Sequence, residues 1–526
     1  MELHPILTCN EARAYEERLL PSAEAVAVAM QRAGRAVGQA VLRDYREIGR
    51  VPPALRLLVL AGTGNNAGDA LLAAVEIGRC HPEAVVTVIF VFGQNAIKSQ
   101  CKEAFMALAS ACAGRLTVVD GPGINCTTLA TDWHIVLDGI VGMRFHPPLR
   151  APATEILGWV NELGHKVQLR AAVDIPSGLG EQPVVIHNES VFRADFTYAT
   201  GIVKAPVVAK ENAAAVGRLR YLDLGFFKDE KPDAHQNCYV MPDSLINPLR
   251  YLRNPLSDKR TYGHIFLLGG SQFMTGAILM AIQAAVCSGA GLVTGMVPGP
   301  LAARLATVVP ESMWMPLPVQ GDGTLAMDTL MIARQDLDRA TALLIGPGMD
   351  HDKSTRILIA RLAREIVLPM VLDASALLPD VMAAVIGRPK DAGAVICTPH
   401  WGEFSRMSRT EGDGAPENTE LMEFSRKHRV VTVLKGPLTR VSDGTKVIYI
   451  PHGGPVLARG GSGDILAGII GAQYAQHPKN PLFAACRGAL WHAKAADLLA
   501  QARGHAAVRT TELLDYLNPV LREQQY

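Results

Sequence analysis

The sequence has almost no excess of charge. Its formal net charge is +1 at neutral pH. Without a basic surplus there is no electrostatic footprint for nucleic acid or an anionic membrane, and no acidic tail is present. The cysteines show no pairing pattern. There are nine, Cys9, Cys80, Cys101, Cys112, Cys126, Cys238, Cys287, Cys397 and Cys486, and none stands at C-x-x-C spacing. An odd, scattered set argues against a disulfide framework or a zinc site and for free thiols in a reducing cytosol. Long hydrophobic runs are missing as well. Stretches such as "VVTVIFVFG" are too short to span a bilayer. The first twenty residues lack a basic segment followed by an apolar core, so no signal peptide is expected. These absences lead to the expectation of a soluble cytoplasmic protein with no nucleic-acid or membrane partner.

What is present is material for buried cores. Hydrophobic residues make up 49% of the 526 residues and charged residues 19%. At roughly 100–200 residues per domain, two to four domains are expected. Residues 11–46 carry long Ala-rich stretches at helical spacing. "LRLLVLAG" (55–62) reads as a buried strand, "DALLAAVEIGRC" (69–80) as a helix, "AVVTVIFVFG" as a strand and residues 98–112 as a helix. "HIVLDG" (134–139) and "VQLRAAVDIPSG" (167–178) read as further strands. The βαβα rhythm predicts a doubly wound, Rossmann-like three-layer α/β domain over residues 1–227. Residues 226–237, "FFKDEKPDAHQN", are polar, charged and broken by proline. They read as a linker, which we place at 228–240. The alternation restarts in 241–526. "HIFLLGG", "ALLIGPG", "MVLDASAL" and "AVICTPH" are strands that run into small or polar residues. "GAILMAIQAAVCSGAGLV" (276–293) is an apolar helix closing at Gly289, "TRVSDGTKVIYI" a hairpin, and a helix starts near Asp464.

In doubly wound sheets, ligands bind beyond the carboxyl ends of the strands. Asn65, Asn66, Asp69, Asp138 and Asp174 would all fall there. "AGTGNNAGDALLAAV" (61–75) is a glycine-rich turn running into a helix, a place where bare amides favour anions. Asp69 is expected in the first helical turn, where it could equally serve the helix dipole. Asp138 and "VDIPSG" (173–178) add carboxylates and the Ser177 hydroxyl, oxygen ligands suited to a hard cation. In "ARGGSGDILAG", Gly461, Ser462 and Gly463 can present amides at a helix start while Ile465, Leu466, Ile469 and Ile470 lock it to the core. Asp464 there fits two readings. It is either a helix cap or a base beside a phosphate cradle.

"GTGNNAGDA", "VLDGIVG" and "VDIPSG", in this order and spacing, resemble the NAD(P)H-hydrate epimerase domain. The resemblance implies that Asn65, Asn66, Ala67, Gly68 and Asp69, with Gly142, Met143 and Arg144, contact a hydrated nucleotide. It makes Asp174 a catalytic and substrate-binding residue. It assigns a potassium ion to Asn66, Asp138 and Ser177. Thr63, Ala67 and Ala70 depart from the family's GNGNNGGDG, and Met143 and Arg144 replace the last two residues of its Gly-Thr-Gly loop.

"GGSQFMTGA", "IGPGMD", "LDASAL", "TPHWGEF", "LKGPLT" and "GGSGDILAG" follow in order over about two hundred residues. Together they resemble the ADP-dependent NAD(P)H-hydrate dehydratase of the ribokinase-like superfamily. The order of the two halves is that of the bifunctional nicotinamide nucleotide repair enzymes. This implies that Ala277, Gly348, His400 and Asp464 hold the dehydratase substrate, and that Lys435, Gly436, Pro437, Leu438, Thr439 and Gly463 bind ADP or AMP. It makes Asp464 the base that takes a proton from the hydroxyl on C6 of the hydrated ring as that hydroxyl is phosphorylated. Magnesium would arrive with ADP, with Glu403 as an orienting group for His400 or a water-mediated ligand. NAD(P)H, AMP and phosphate would leave. A homo-oligomer, a tetramer or larger, is implied too. Asp350 replaces the last glycine of the family's GPG(L/M)G, and Ser375 and Leu378 stand where LDADALN has Asp and Asn. The alternative is a ribokinase-like small-molecule kinase that releases a stable phosphate ester and carries a non-catalytic nucleotide-binding N-terminal domain.

Overall fold

A computed structural model describes every residue except Pro147, 182–189, Glu230, 410–413 and 523–526. The chain divides into two compact units. One comprises Leu3–Pro242 with Ala500–Gly504, the other Asp243–Leu499 with short flanking segments.

The first unit is built on a seven-stranded sheet. Its strands lie in the order Leu116–Asp120, Val85–Phe90, Arg56–Ala61, Trp133–Gly139, Val167–Val173, Phe196–Thr200 and Arg218–Leu222. All neighbours are parallel. The order turns around between Arg56–Ala61 and Trp133–Gly139, where Leu60 pairs with Asp138 and Ala61 with Gly139. That reversal opens a crevice at the carboxyl ends. Leu57 to Ala61 are wholly buried, because helices cover both faces of a parallel sheet. Helices Ala23–Tyr45, Asn65–Cys80 and Ser99–Ala111 share one core, and helix Ala153–Glu162 packs into the other.

Several details differ from the sequence reading. The stretch 11–46 forms two helices, Cys9–Leu19 and Ala23–Tyr45, because Pro21 breaks the run and Ser22 caps the second with a bond from Ala25 N. The helix expected from residue 69 begins at Asn65, capped by Gly64. Asp69 therefore lies in the second turn, not the first, and is no dipole partner. Strand Arg218–Leu222 has no apolar run to reveal it. Its buried Arg220 is neutralised by Asp44, 3.1 Å away, and Arg218 pairs with Glu47. Within the segment read as linker, Cys238–Val240 forms a strand paired antiparallel with His4–Pro5. Just before it, Phe227 is buried against the Tyr15 ring. Apolar side chains inside a polar stretch were enough to fix the chain there.

The second unit repeats the same winding. Its strands run in the order Met313–Leu317, Leu292–Pro298, His264–Leu268, Ala342–Ile345, Met370–Leu372, Val395–Cys397, Val430–Leu434, Thr439–Ser442 and Val447–Ile450. The first seven are parallel and the last two turn back as a hairpin around Gly444. The order reverses between His264–Leu268 and Ala342–Ile345, where Gly270 N donates to Pro347 O at 2.8 Å. Helix Thr275–Cys287 ends two residues before Gly289, since Leu292–Pro298 must already be strand. Helix Ser462–Gln476 is buried from Ile465 to Ala475, as expected of a helix that is apolar all round. Among the described residues no helix is long and apolar enough to cross a membrane.

Candidate active sites

The first site lies at the crevice of the N-terminal unit. Asp138 sits at the end of its strand with no exposure. Its Oδ1 accepts from Ser177 Oγ at 2.6 Å and Ile140 N at 3.2 Å, and its Oδ2 from Ser177 N at 2.7 Å. Burial outweighs these donors and pushes the carboxyl up to about 6. Val141 N donates to Ser177 Oγ at 3.0 Å, and Asn66 Nδ2 donates to Val141 O at 3.0 Å. Asn66 Oδ1 is buried with no hydrogen-bond partner among the described residues. The cluster is rich in oxygen and short of positive charge, which is the donor set of a hard cation.

Asp174 follows the Val167–Val173 strand in the left-handed conformation, φ 67°. A non-glycine residue held there stores roughly 1–2 kcal/mol of strain, and such strain gathers at functional positions. The surroundings hold it in place. Asp174 N donates to Tyr198 O at 2.9 Å. Its Oδ1 accepts from Lys204 Nζ at 2.6 Å and from Thr200 Oγ1 at 3.3 Å. Oδ2 accepts no hydrogen bond among the described residues. Burial works against the Lys204 charge, but Asp174 and Glu16 outweigh it and hold the ammonium above its ordinary value. Burial, then Asp174 and Glu16, push the Asp69 carboxyl well up. Asn65 is exposed at the helix start. Ala67 and Gly68 face the core, Ala67 with no exposure, so only their backbone could meet a ligand. Met143 packs against the cluster of Leu7, Tyr15 and Phe227. Gly142 lies against the Asn66 side chain, and Arg144 pairs with Glu17 at 3.1 Å.

The second site gathers at the crevice of the C-terminal unit. His400 and Lys435 form a parallel bridge, with Lys435 N donating to Pro399 O at 2.8 Å. Lys435 Nζ stands 3.1 Å from Asp373 Oδ1 and 3.7 Å from Glu403 Oε2. Thr398 Oγ1 donates to the same Asp373 oxygen at 2.6 Å. A side chain on Gly463 would begin 3.2 Å from that ammonium. Gly461 takes φ 93° at the helix cap, and a Cβ there would run into Met280 Sδ. No side chain caps this helix start. Asp464 is its third residue. Burial, then the nearby Asp373, push its carboxyl up to about 7 against the pull of Lys435. Burial opposes the Lys435 charge, and Asp373, Glu403 and Asp464 hold the ammonium above its ordinary value. Three carboxylates around one lysine leave a surplus of negative charge that a divalent cation would balance.

His400 caps the Trp401–Ser408 helix. Its Nδ1 accepts from Gly402 N at 3.0 Å and Glu403 N at 3.3 Å, and Glu403 Oε2 accepts from His400 N at 2.8 Å. Nδ1 therefore acts as the acceptor, and Nε2 of the 57% exposed ring lies 3.6 Å from Glu403 Oε1. Gly348 and Ala277 meet, with 3.1 Å between a Cβ built on Gly348 and the Ala277 Cβ. Ser375 Oγ donates to Met349 O at 2.8 Å, tying "LDASAL" to "IGPGMD". Asp350 next to it is half-buried. Gly436 and Pro437 are exposed, and Leu438 and Thr439 half-buried.

Sequence reasoning missed Lys204, Glu16 and His492. Lys204 is a lone charge in the apolar stretch "ATGIVKAPVV", which was a usable signal. His492 is 6% exposed on the Pro481–Arg503 helix, with Nε2 buried and unpartnered among the described residues. Burial, and after it Lys435, push it down to about 4 even though the Ser462 backbone accepts a bond from it, so it is neutral. Nothing local in "ALWHAKA" marks it.

Comparison with known proteins bears on both sites. The family model described as YjeF-related protein N-terminus matches residues 26–205, and the model described as NAD(P)H-hydrate dehydratase matches 265–519. A bifunctional NAD(P)H-hydrate repair enzyme of Moorella thermoacetica is 31% identical over 97% of this chain and 94% of its own. One of Coxiella burnetii is 30% identical over 93% of each. A solved structure of an ADP/ATP-dependent NAD(P)H-hydrate dehydratase from Bacillus subtilis, co-crystallised with ATP and magnesium, is 29% identical. It covers 51% of this chain and 92% of its own, with a TM-score of 0.43. With two family models in tandem and a relative matched across nearly its full length, the chain belongs to the family of bifunctional NAD(P)H-hydrate repair enzymes.

Proposed function

We propose that this chain repairs hydrated NADH and NADPH with two activities. The N-terminal unit interconverts the R and S forms. The C-terminal unit dehydrates the S form with ADP, giving NAD(P)H, AMP and phosphate. The observation that carries the second activity is Asp464 at the start of a helix, its carboxyl at about 7, with Lys435 beside Gly463. The amides at Gly461, Ser462 and Gly463 favour the transferring phosphoryl group, and Lys435 neutralises its charge. Asp464 takes the C6 hydroxyl proton as that oxygen attacks phosphorus and AMP leaves. Phosphate then departs from C6 with a C5 proton, restoring the ring double bond. His400 Nε2 and the Ala277–Gly348 contact border the substrate. Gly436, Pro437, Leu438 and Thr439 follow Lys435 along the nucleotide.

In the N-terminal unit, Asp174 acts on the hydrated ring through Oδ2, and Asn65 to Asp69 with Gly142 to Arg144 surround the nucleotide. Asn66, Asp138 and Ser177 would hold potassium, which when bound supplies the positive charge that the buried Asp138 carboxylate lacks. Glu403 and Asp373 would meet magnesium arriving with ADP, which when bound offsets the diphosphate charge. Cytoplasmic residence and a homo-oligomer, a tetramer or larger, complete the reading on the strength of the family resemblance.

Incubation of the protein with hydrated NADH, ADP and magnesium tests it. Regained absorbance of the reduced ring with release of inorganic phosphate is expected. A retained phosphate ester would instead mark a small-molecule kinase.

A further inference from the structure

The Lys204 ammonium of the N-terminal unit meets a second carboxyl besides Asp174. Glu16 lies on the Cys9–Leu19 helix, outside the span of the family model that covers the rest of the site. That helix is fixed by its buried face. Tyr15 stacks on Phe227 and donates to Phe226 O at 3.0 Å. The next residue, Glu16, brings Oε1 within 3.7 Å of Lys204 Nζ, the same ammonium that stands 2.6 Å from Asp174 Oδ1. Exposure separates their roles. The Lys204 side chain is 1% exposed and cannot reach a ligand, whereas Glu16 is 23% and Asp174 10% exposed. A buried cation thus joins two carboxyls that are both partly exposed.

We propose that Glu16 is the second acid–base residue of the epimerase site, coupled to Asp174 through the Lys204 ammonium they share. This rests on the epimerase reading of the unit. Inversion at C6 needs a proton removed from oxygen and one placed on nitrogen. Asp174 Oδ2 takes the C6 hydroxyl proton, the C6–O bond becomes a carbonyl, and the C6–N1 bond breaks. Its electron pair goes to N1, which takes a proton from Glu16. Rotation about C5–C6 turns the other face of the aldehyde to N1. N1 attacks, returns its proton to Glu16, and the new alkoxide recovers the proton held by Asp174. No oxidant enters and no proton is gained or lost. Lys204 is a positioning residue. It keeps one oxygen of Asp174 occupied and links the two carboxyls electrostatically.

The charges facing Glu16 divide this labour. Burial, assisted by Asp174, pushes its carboxyl up to about 7 against Lys204 and Arg144. Asp69, also pushed up, faces the same cluster. Cys9 on the same helix is driven up to about 12 by burial and Glu181, so it stays a neutral thiol. Glu16 must hold its proton to donate it, so epimerisation falls as pH rises past the Glu16 value.

The test is Glu16→Gln in the full chain with a mixture of R and S hydrates, ADP and magnesium. Recovery of the reduced ring is biphasic. The fast phase reports the C-terminal unit and the slow phase epimerisation, and an unchanged two-step melting profile confirms that the N-terminal unit of the variant is folded. Glu16→Gln is expected to slow the second phase by about 100-fold or more, with KM changed by less than about threefold. The falling alkaline limb of its pH profile should disappear, and Glu16→Asp should recover part of the rate. A slow phase within about threefold of wild type with an unchanged profile overturns the role of Glu16. A slow phase no faster than the enzyme-free reaction in the wild type itself overturns the epimerase reading, and this proposal with it.

Discussion

Asp464 shows how a single side chain can carry a mechanism. Its carboxyl, pushed up to about 7 by burial and Asp373, is half ionised near neutrality. Only the carboxylate accepts a proton, so the sign is fixed. Dehydratase kcat/KM should climb about tenfold per pH unit below that value and level off above it. Asp464→Asn should leave ADP binding, measured by calorimetry, nearly unchanged and lower turnover by about a hundredfold or more. If turnover survives, Asp464 is only a helix residue. Asp138 supports a different measurement. With Asn66 Oδ1 unpartnered among the described residues, potassium should raise the melting temperature more than lithium does, and Asp138→Ala should abolish the difference. At saturation near 100 times Kd the effect amounts to about 2.7 kcal/mol. Asp464 could be found in the sequence because "GGSGD" carries its own context. Lys204 stood out only as a lone charge in an apolar stretch; its pairing was not legible, because Glu16 and Asp174 become its neighbours only when a helix and two strand ends meet.

At the scale of elements, helix Ser462–Gln476 sets the second site. Its small residues let it lie tight on its neighbours. A Cβ at Gly468 would run into Ala281 O and reach 2.9 Å from Ala284 Cβ on the Thr275–Cys287 helix. Gly468→Ala should therefore cost about 1–3 kcal/mol, read as a lower midpoint in denaturant unfolding. An unchanged midpoint would mean that the two helices are not pressed together. The apolar spacing of both helices was readable from the sequence, and their ends less so. The Asn65–Cys80 helix starts four residues before the apolar pattern does, because Asn65 and Asn66 contribute backbone but no hydrophobic signal. Strand Phe196–Thr200 was hidden for the opposite reason. It is wholly buried yet carries polar groups, which are satisfied by Thr197 Oγ1 to Val216 O at 2.7 Å and by Tyr198 OH to Asp44 Oδ2 at 3.1 Å.

At the scale of the whole molecule, both units wind their parallel strands in the same order, and each places its site where that order reverses. A candidate site in each of two compact units predicts separable activities. Asp174→Ala should stop conversion of the R hydrate while sparing dehydration of the S hydrate, and Asp464→Asn should do the reverse. Loss of both activities from either change would contradict that separation. The α/β class, the alternation and the glycine-rich turns were determined by the sequence alone, since apolar runs of strand and helix length and turn residues are local properties. So were the acids at the strand ends, whose positions follow from chain order. The tertiary structure alone decided which of those acids work together. It joined Asp373, Glu403 and Asp464 around Lys435, and Glu16 to Asp174 through Lys204. The shift of a carboxyl depends on burial and on charges a few ångströms away, and those neighbours come from distant parts of the chain.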